Sequence, residues 1–276
     1  MGAAALERAL IDIKKTVLFI PPGLKKFKLD LFERIGGKIG KVIRYDPTQL
    51  DKLAPDTIPI VGCMPFLRPW YEKWIKNKRD FIYWDRGYLR RVFATWLPKG
   101  SDMGIPGGYY RWHLNAFQMK SVDDVPDDRW KSLKLNGSLK PWNKSGSHII
   151  VADTLPDYWN LFCDKNWCQN TINELKKHTD RKIILRSKES KVPLHEELKN
   201  AHCLVTHGSV AAVEAVVFGC PVFVDDISAA KFMGQTDFSK VESPIYPERD
   251  KWLHSLAYCQ FNETELVDGT LWRMLK

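Results

Sequence analysis

His202-Cys203-Leu204-Val205-Thr206-His207-Gly208-Ser209-Val210-Ala211-Ala212-Val213-Glu214-Ala215-Val216-Val217-Phe218-Gly219-Cys220-Pro221-Val222-Phe223-Val224-Asp225-Asp226 reads as strand, tight turn, helix and second strand. Cys203–Thr206 is a short apolar run with two β-branched residues, which suits a buried strand. His207-Gly208-Ser209 breaks it, and Ser209 is a good N-cap for an apolar helix over Val210–Phe218. Gly219 stands where a C-cap glycine belongs, and Pro221–Val224 is again strand-like. Such a unit builds a parallel sheet.

The turn falls at the carboxyl end of its strand, where open α/β sheets bind ligands. Free N–H groups at a helix start favour a phosphate. Glu214 is the one charge in the apolar helix. An unpaired buried carboxylate is costly, so hydroxyls such as a ribose diol, or a cation, should meet it. The plainer alternative turns Glu214 to solvent or pairs it with a lysine.

This pattern resembles the nucleotide-sugar half of GT-B glycosyltransferases. It is most similar in style to the capsule-polysaccharide and glycerophosphotransferase-like branch and to bacteriophage glycosyltransferases. The likeness covers roughly residues 147–276, and the first half matches only in its order of elements. It implies two Rossmann-like domains with a cleft between them: an acceptor domain over 1–130, a linker over 131–146 and a donor domain over 147–276. The last helix would pack back on the first domain. The resemblance further implies that His207, Gly208 and Ser209 face the donor diphosphate and that Glu214 takes the ribose. Arg186 and Lys188, at the end of a strand over Lys182–Arg186, would neutralise the leaving group. A nucleotide diphosphate sugar is the implied co-substrate, with a UDP-sugar favoured and no cofactor required. Asp225 would hold sugar hydroxyls or a divalent ion, or would be a plain turn residue.

The chain has 276 residues, enough for two domains, and 44% of them are hydrophobic, so a packed core is expected. No apolar run approaches a membrane span, and the amino terminus lacks a signal-peptide layout. The six scattered cysteines form no CxxC pair, which fits a reducing cytoplasm, of a bacterium or a phage-infected host. The net charge of +9 is uneven. Residues 1–146 hold 27 Lys+Arg against 15 Asp+Glu, and residues 147–276 hold 15 against 18. A basic first half suggests a polyanionic partner, with nucleic acid first and an anionic membrane or acidic glycan second. A merely soluble basic surface is the third reading.

In the first half, strands are expected at Thr16–Ile20, Lys41–Tyr45, Ile58–Gly62 and Phe81–Trp84, with helices at Leu24–Ile35 and Phe66–Lys78. Pro21-Pro22-Gly23 turns the chain after the first strand. Asp85-Arg86-Gly87-Tyr88-Leu89-Arg90-Arg91 follows the fourth. A carboxylate there sits at the functional rim of a sheet, so Asp85 is either a general base or the cap of a following helix. A similar Asp-x-Gly-Tyr segment occurs in phage glycosyltransferase-like proteins, which implies Asp85 as base. Residues 107–118 interleave aromatic, basic and amide side chains without a clear period. They suit stacking on bases and gripping phosphates, or a packed loop. Arg86, Tyr88, Arg90, Arg91, Tyr110, Arg111 and His113 form the expected acceptor surface. The phage-like segment and the basic half together point to double-stranded DNA carrying hydroxymethylated pyrimidines, reached by base flipping. Surface-polysaccharide synthesis and a non-catalytic nucleic-acid binder are the alternatives.

Overall fold

The computed structural model describes residues 11–20, 26–36, 39–44, 47–62, 65–91, 107–135, 139–154 and 162–275. The Pro21-Pro22-Gly23 turn and the amino-terminal arm up to residue 10 lie outside them.

The first sheet has six strands: β1 (Thr16–Ile20), β2 (Lys41–Arg44), β3 (Ile58–Gly62), β4 (Ile82–Arg86), β5 (Tyr110–Leu114) and β10 (Gln260–Phe261). Their spatial order is β10-β5-β4-β3-β1-β2. β1 to β4 are parallel, β5 runs antiparallel to β4, and β10 runs antiparallel to β5. The second sheet has β6 (His148–Ala152), β7 (Lys182–Arg186), β8 (Ala201–Thr206) and β9 (Val222–Val224), all parallel in the order β7-β6-β8-β9. This is an α/β architecture on two sheets.

Helices α1 (Lys26–Gly36), α2 (Pro47–Asp51) and α3 (Arg68–Lys76) belong to the first half, and α4 (Asp128–Ser132) leads toward the second. The second half carries α5 (Trp167–Leu175), α6 (Leu194–Leu198), α7 (Ala211–Val217) and α8 (Asp250–Tyr258), followed by α9 (Glu263–Val267) and α10 (Thr270–Met274). The chain returns to its first sheet at its end. Leu266, Leu271 and Trp272 join Leu18, Ile20, Phe32 and Trp84 in one buried cluster.

The decisive stretch forms β8, α7 and β9, with β8 and β9 paired through Leu204 and Val222. Ser209 contributes to the helix start by accepting from the Ala211 amide at 3.3 Å, while the cap position itself falls to Val210. Gly219 closes the helix with φ +78°. Pro59 lies near the start of β3, which is an interior strand and not an edge.

β5 departs from expectation. Tyr110, Trp112 and Leu114 alternate with Arg111 and His113, and that period of two is a strand signal. The apolar set joins the cluster with Trp84 and Trp272, while Arg111 and His113 face the ring of Tyr88 on the other side. All five residues are buried because β4 and β10 flank the strand and both faces are covered. A base cannot stack on a ring that is already inside a sheet.

A β-carbon at residue 219 would lie 2.0 Å from the Pro141 carbonyl oxygen, in backbone that L side chains rarely adopt. Gly219→Ala is therefore expected to lower unfolding free energy by roughly 1–3 kcal/mol or more. Urea denaturation of the purified variant measures it, and an unchanged midpoint would contradict this account of the turn.

Candidate functional site

The carboxyl ends of the two sheets approach one another. Phe162, ahead of α5, packs its ring on Tyr83 of β4 at 6.2 Å and on Phe117 at 4.7 Å. From the first sheet comes Asp85, the penultimate residue of β4, with 28% of its side chain exposed. Its Oδ1 accepts from the Arg86 amide at 2.7 Å, and its Oδ2 accepts from Arg111 at 2.7 Å and from the Tyr83 hydroxyl at 3.2 Å. Asp85 thus lies inside the strand end and caps no helix. Three donors fix its orientation, and a carboxylate has about four acceptor positions.

The turn after Asp85 is held from far away in sequence. Gln260 of β10 accepts from the Tyr88 and Leu89 amides at 2.9 and 3.0 Å and donates to the Leu89 carbonyl at 3.0 Å. Gly87 is required because a β-carbon there would sit 2.8 Å from the Tyr109 carbonyl oxygen. Buried Tyr88 accepts from the Met119 amide at 2.8 Å and lies 2.9 Å from His113 Nε2. Burial, reinforced by the Arg111 and Lys120 charges, pushes the His113 pKa well below the usual imidazole range. The ring is therefore neutral, and its Nε2 shares one hydrogen bond with the Tyr88 hydroxyl.

From the second sheet come His207, Gly208 and Ser209 after β8, Asp225 after β9, and Asp153 after β6. Asp225 Oδ2 accepts from Trp167 Nε1 at 2.9 Å and lies 3.4 Å from His207 Nε2. Burial raises the Asp225 pKa and lowers that of His207, and their mutual attraction only partly offsets this. Both shifts favour a neutral pair over an ionic one. Asp153 accepts from the Thr154 amide at 2.7 Å and from the Cys168 thiol at 3.1 Å. Among the described residues, no group of three or more His, Cys, Asp or Glu is placed to hold a metal ion.

Glu214 is buried and meets a cation, Arg91 of the first half, in an ion pair with both side chains 5% exposed. Buried in that pair, Glu214 shows no open face to a ribose, so the expected ribose contact is not what the structure presents. Arg186 is likewise engaged. It is buried, pairs with Glu197 of α6, and donates to the Val192 carbonyl at 2.8 Å. It does not stand as a free cation for a phosphate, because its charge is taken up where α6 packs beside β7. Lys188 is partly exposed on the turn after β7. Of the expected acceptor surface, Tyr88, Arg91, Tyr110, Arg111 and His113 are buried, while Arg86 and Arg90 keep partial exposure. The five buried side chains support the sheet and its turns and offer no face to DNA.

Sequence reasoning missed Trp167 and Gln260, and placed Gln118 only within the 107–118 stretch without its partners. Buried amides carry no periodicity signal, because their partners are backbone groups of distant turns. Trp167 stands at the start of α5, where nothing in the local pattern marks its contact with Asp225.

No protein-family model and no curated protein sequence matches the chain. Among solved structures, the fold is similar to that of Thermosulfurimonas dismutans KpsC, a beta Kdo 2,7 transferase. The TM-score is 0.54 at 11% identity, covering 92% of this chain and 99% of that one. The KpsC beta Kdo 2,4 transferase gives 0.47 at 10% identity over 91% and 97%. At such identity the first likeness speaks for the fold alone.

Two tests address the interior of the site. Glu214→Gln strands the Arg91 guanidinium and should cost about 3–5 kcal/mol, whereas the Arg91→Met, Glu214→Leu double variant should recover most of it. Denaturant titration of the three proteins would expose a mistake if the double variant were the least stable. For His113, the unfolded chain takes up a proton near pH 6.5 and the folded chain does not. The folded-state pKa is depressed, so stability is full above about pH 6.5 and falls as pH drops below it, by up to about 1.4 kcal/mol per unit. Melting curves between pH 7 and pH 5 should show a shallower decline in His113→Gln than in the unaltered protein.

Proposed function

We propose that this chain is a glycosyltransferase that moves a sugar from a nucleotide-activated donor to a hydroxyl of a surface polysaccharide. The observation that carries the reading is the likeness of nearly the whole chain to a Kdo transferase fold, with coverage that includes both sheets. Local geometry supports it. A partly exposed carboxylate ends a strand of one sheet, and a glycine turn ends a strand of the other. The halves that bear them are joined by the Arg91–Glu214 ion pair and by the Gln118 bond to the Gly208 carbonyl.

In this reading Asp85 takes the proton of the acceptor hydroxyl. Arg111, Tyr83 and the Arg86 amide leave one acceptor direction of the carboxylate for that hydroxyl and hold it in place. The turn His207-Gly208-Ser209 receives the donor phosphate through backbone amides, and Asp225 with Trp167 forms the wall beside it. Lys188 adds positive charge near the end of β7. The donor is a nucleotide sugar, with a UDP-sugar first to be tried. Burial removes Tyr110, Arg111 and His113 from any groove, so the residues expected to grip DNA give it no support as the acceptor. The excess of basic residues in the first half then meets an acidic glycan.

The test is mass spectrometry of the protein incubated with a panel of nucleoside-diphosphate and nucleoside-monophosphate sugars. Acidic oligosaccharide acceptors form one arm and hydroxymethylated duplex DNA the other. Transfer to the oligosaccharide is expected, and Asp85→Asn should reduce turnover by about 10²–10⁴-fold with the melting temperature retained. Transfer confined to DNA would replace the acceptor, and no transfer from any donor would remove the enzymatic reading.

A further inference from the structure

Gln118 is buried on the segment that leaves β5, yet both ends of its amide are spent on the other half of the chain. Its Nε2 donates to the Gly208 carbonyl at 2.6 Å, and its Oε1 accepts from the Ala229 amide at 3.0 Å. Gly208 belongs to the turn after β8. Ala229 opens the 3-10 turn Ala229–Met233 that follows β9, and its amide is one of the donors such a start leaves without an internal partner. One side chain therefore joins the two turns that flank Asp225.

The neighbours of Gln118 tie the same segment to the carboxylate side. Phe117 packs edge-on against Tyr83 at 5.3 Å, and the Tyr83 hydroxyl bonds Asp85. The Met119 amide donates to the Tyr88 hydroxyl at 2.8 Å. Three consecutive residues thus reach the strand end that bears Asp85, the turn that bears Gly208, and the turn stabilised by Gln260.

We infer that Gln118 is a positioning residue that fixes the Gly208 and Ala229 turns of the donor side at a set distance from Asp85. The inference rests on the transferase reading for its consequence, though not for the contact itself. Gln118 touches neither reacting group. It acts by keeping the Gly208 carbonyl turned toward the first half, which sets the direction of the amides that follow in the turn.

Two variants test this. Gln118→Leu removes both bonds, and Gln118→Glu keeps the acceptor for Ala229 while placing a carboxylate oxygen against the Gly208 carbonyl. In substrate-free protein, the Ala229 amide should exchange its hydrogen at least about tenfold faster in Gln118→Leu and stay protected in Gln118→Glu, the size expected for loss of one buried hydrogen bond. In turnover assays with the donor and oligosaccharide found above, both variants should raise KM for the donor about tenfold while KM for the acceptor stays unchanged. Unaltered Ala229 exchange in Gln118→Leu would overturn the clamp, whatever the reaction. If Gln118→Leu does not fold, protection of Ala229 that is lost in Gln118→Glu overturns it instead. Equal changes in both KM values, or a fall in kcat alone, would reduce Gln118 to a stabilising contact and overturn the positioning role. If the unaltered protein transfers sugar from no donor, the transferase reading and the donor role of Gln118 fall together, and exchange still decides the contact.

Discussion

An ionised carboxylate in the middle of an apolar helix cannot be left alone, and the fold is arranged around that constraint. α7 is buried along its whole length, so Glu214 has no route to water. Its charge is met from the first half by Arg91, which also donates to the Tyr88 carbonyl at 3.3 Å. Desolvating both partners costs several kcal/mol per ion unless each is matched, so any arrangement that parts β8-α7-β9 from the Asp85 turn exposes the mismatch at once. A purely apolar contact between the halves would tolerate sliding. A buried ion pair does not, because its strength depends on distance and on the hydrogen bonds around it.

The same logic explains why polar side chains, and not only apolar clusters, tie together segments far apart in the chain. Gln118, Gln260 and Arg129 each satisfy backbone groups that secondary structure leaves open. Arg129 donates to the Ala257 and Gln260 carbonyls at 3.0 and 2.6 Å and pairs with Glu265 at 2.5 Å, which holds the returning end of the chain on the first sheet. Every bond of this kind specifies one register, whereas hydrophobic burial specifies only that faces be covered.

Much of the fold could be read from pattern. β1, β3, β7 and the β8-α7-β9 unit lie where apolar runs, glycines and prolines indicate, because local backbone preference and burial agree there. β5 was obscured by Arg111 and His113, which look like surface residues until Asp85 and Tyr88 are known to receive them. The need of Glu214 for hydroxyls or a cation followed from elementary electrostatics, but the choice between them, and the identity of the cation 123 residues away, did not. Arg186 illustrates the converse. Its place at a strand end suggests a phosphate ligand, and only the neighbouring α6 reveals that Glu197 already holds it.

In the proposed transferase, that last contact shifts the electrostatic burden on the donor side. If Arg186 is committed to Glu197, charge developing on a leaving phosphate has to be met by the turn after β8, by Lys188, and by whatever His207 can donate. Burial lowers the His207 pKa and raises that of Asp225, so a neutral His207 offers a hydrogen-bond donor without a fixed charge. Neutral donors aimed by a rigid frame stabilise a developing anion with little reorganisation, provided their direction is maintained. Direction is what the Gln118 and Trp167 hydrogen bonds supply, the first to the Gly208 carbonyl and the second to Asp225. On this view the aromatic and amide residues around the rim matter more to the chemistry than the excess of positive charge in the first half. That charge concerns what the protein approaches, and the rim concerns how it reacts.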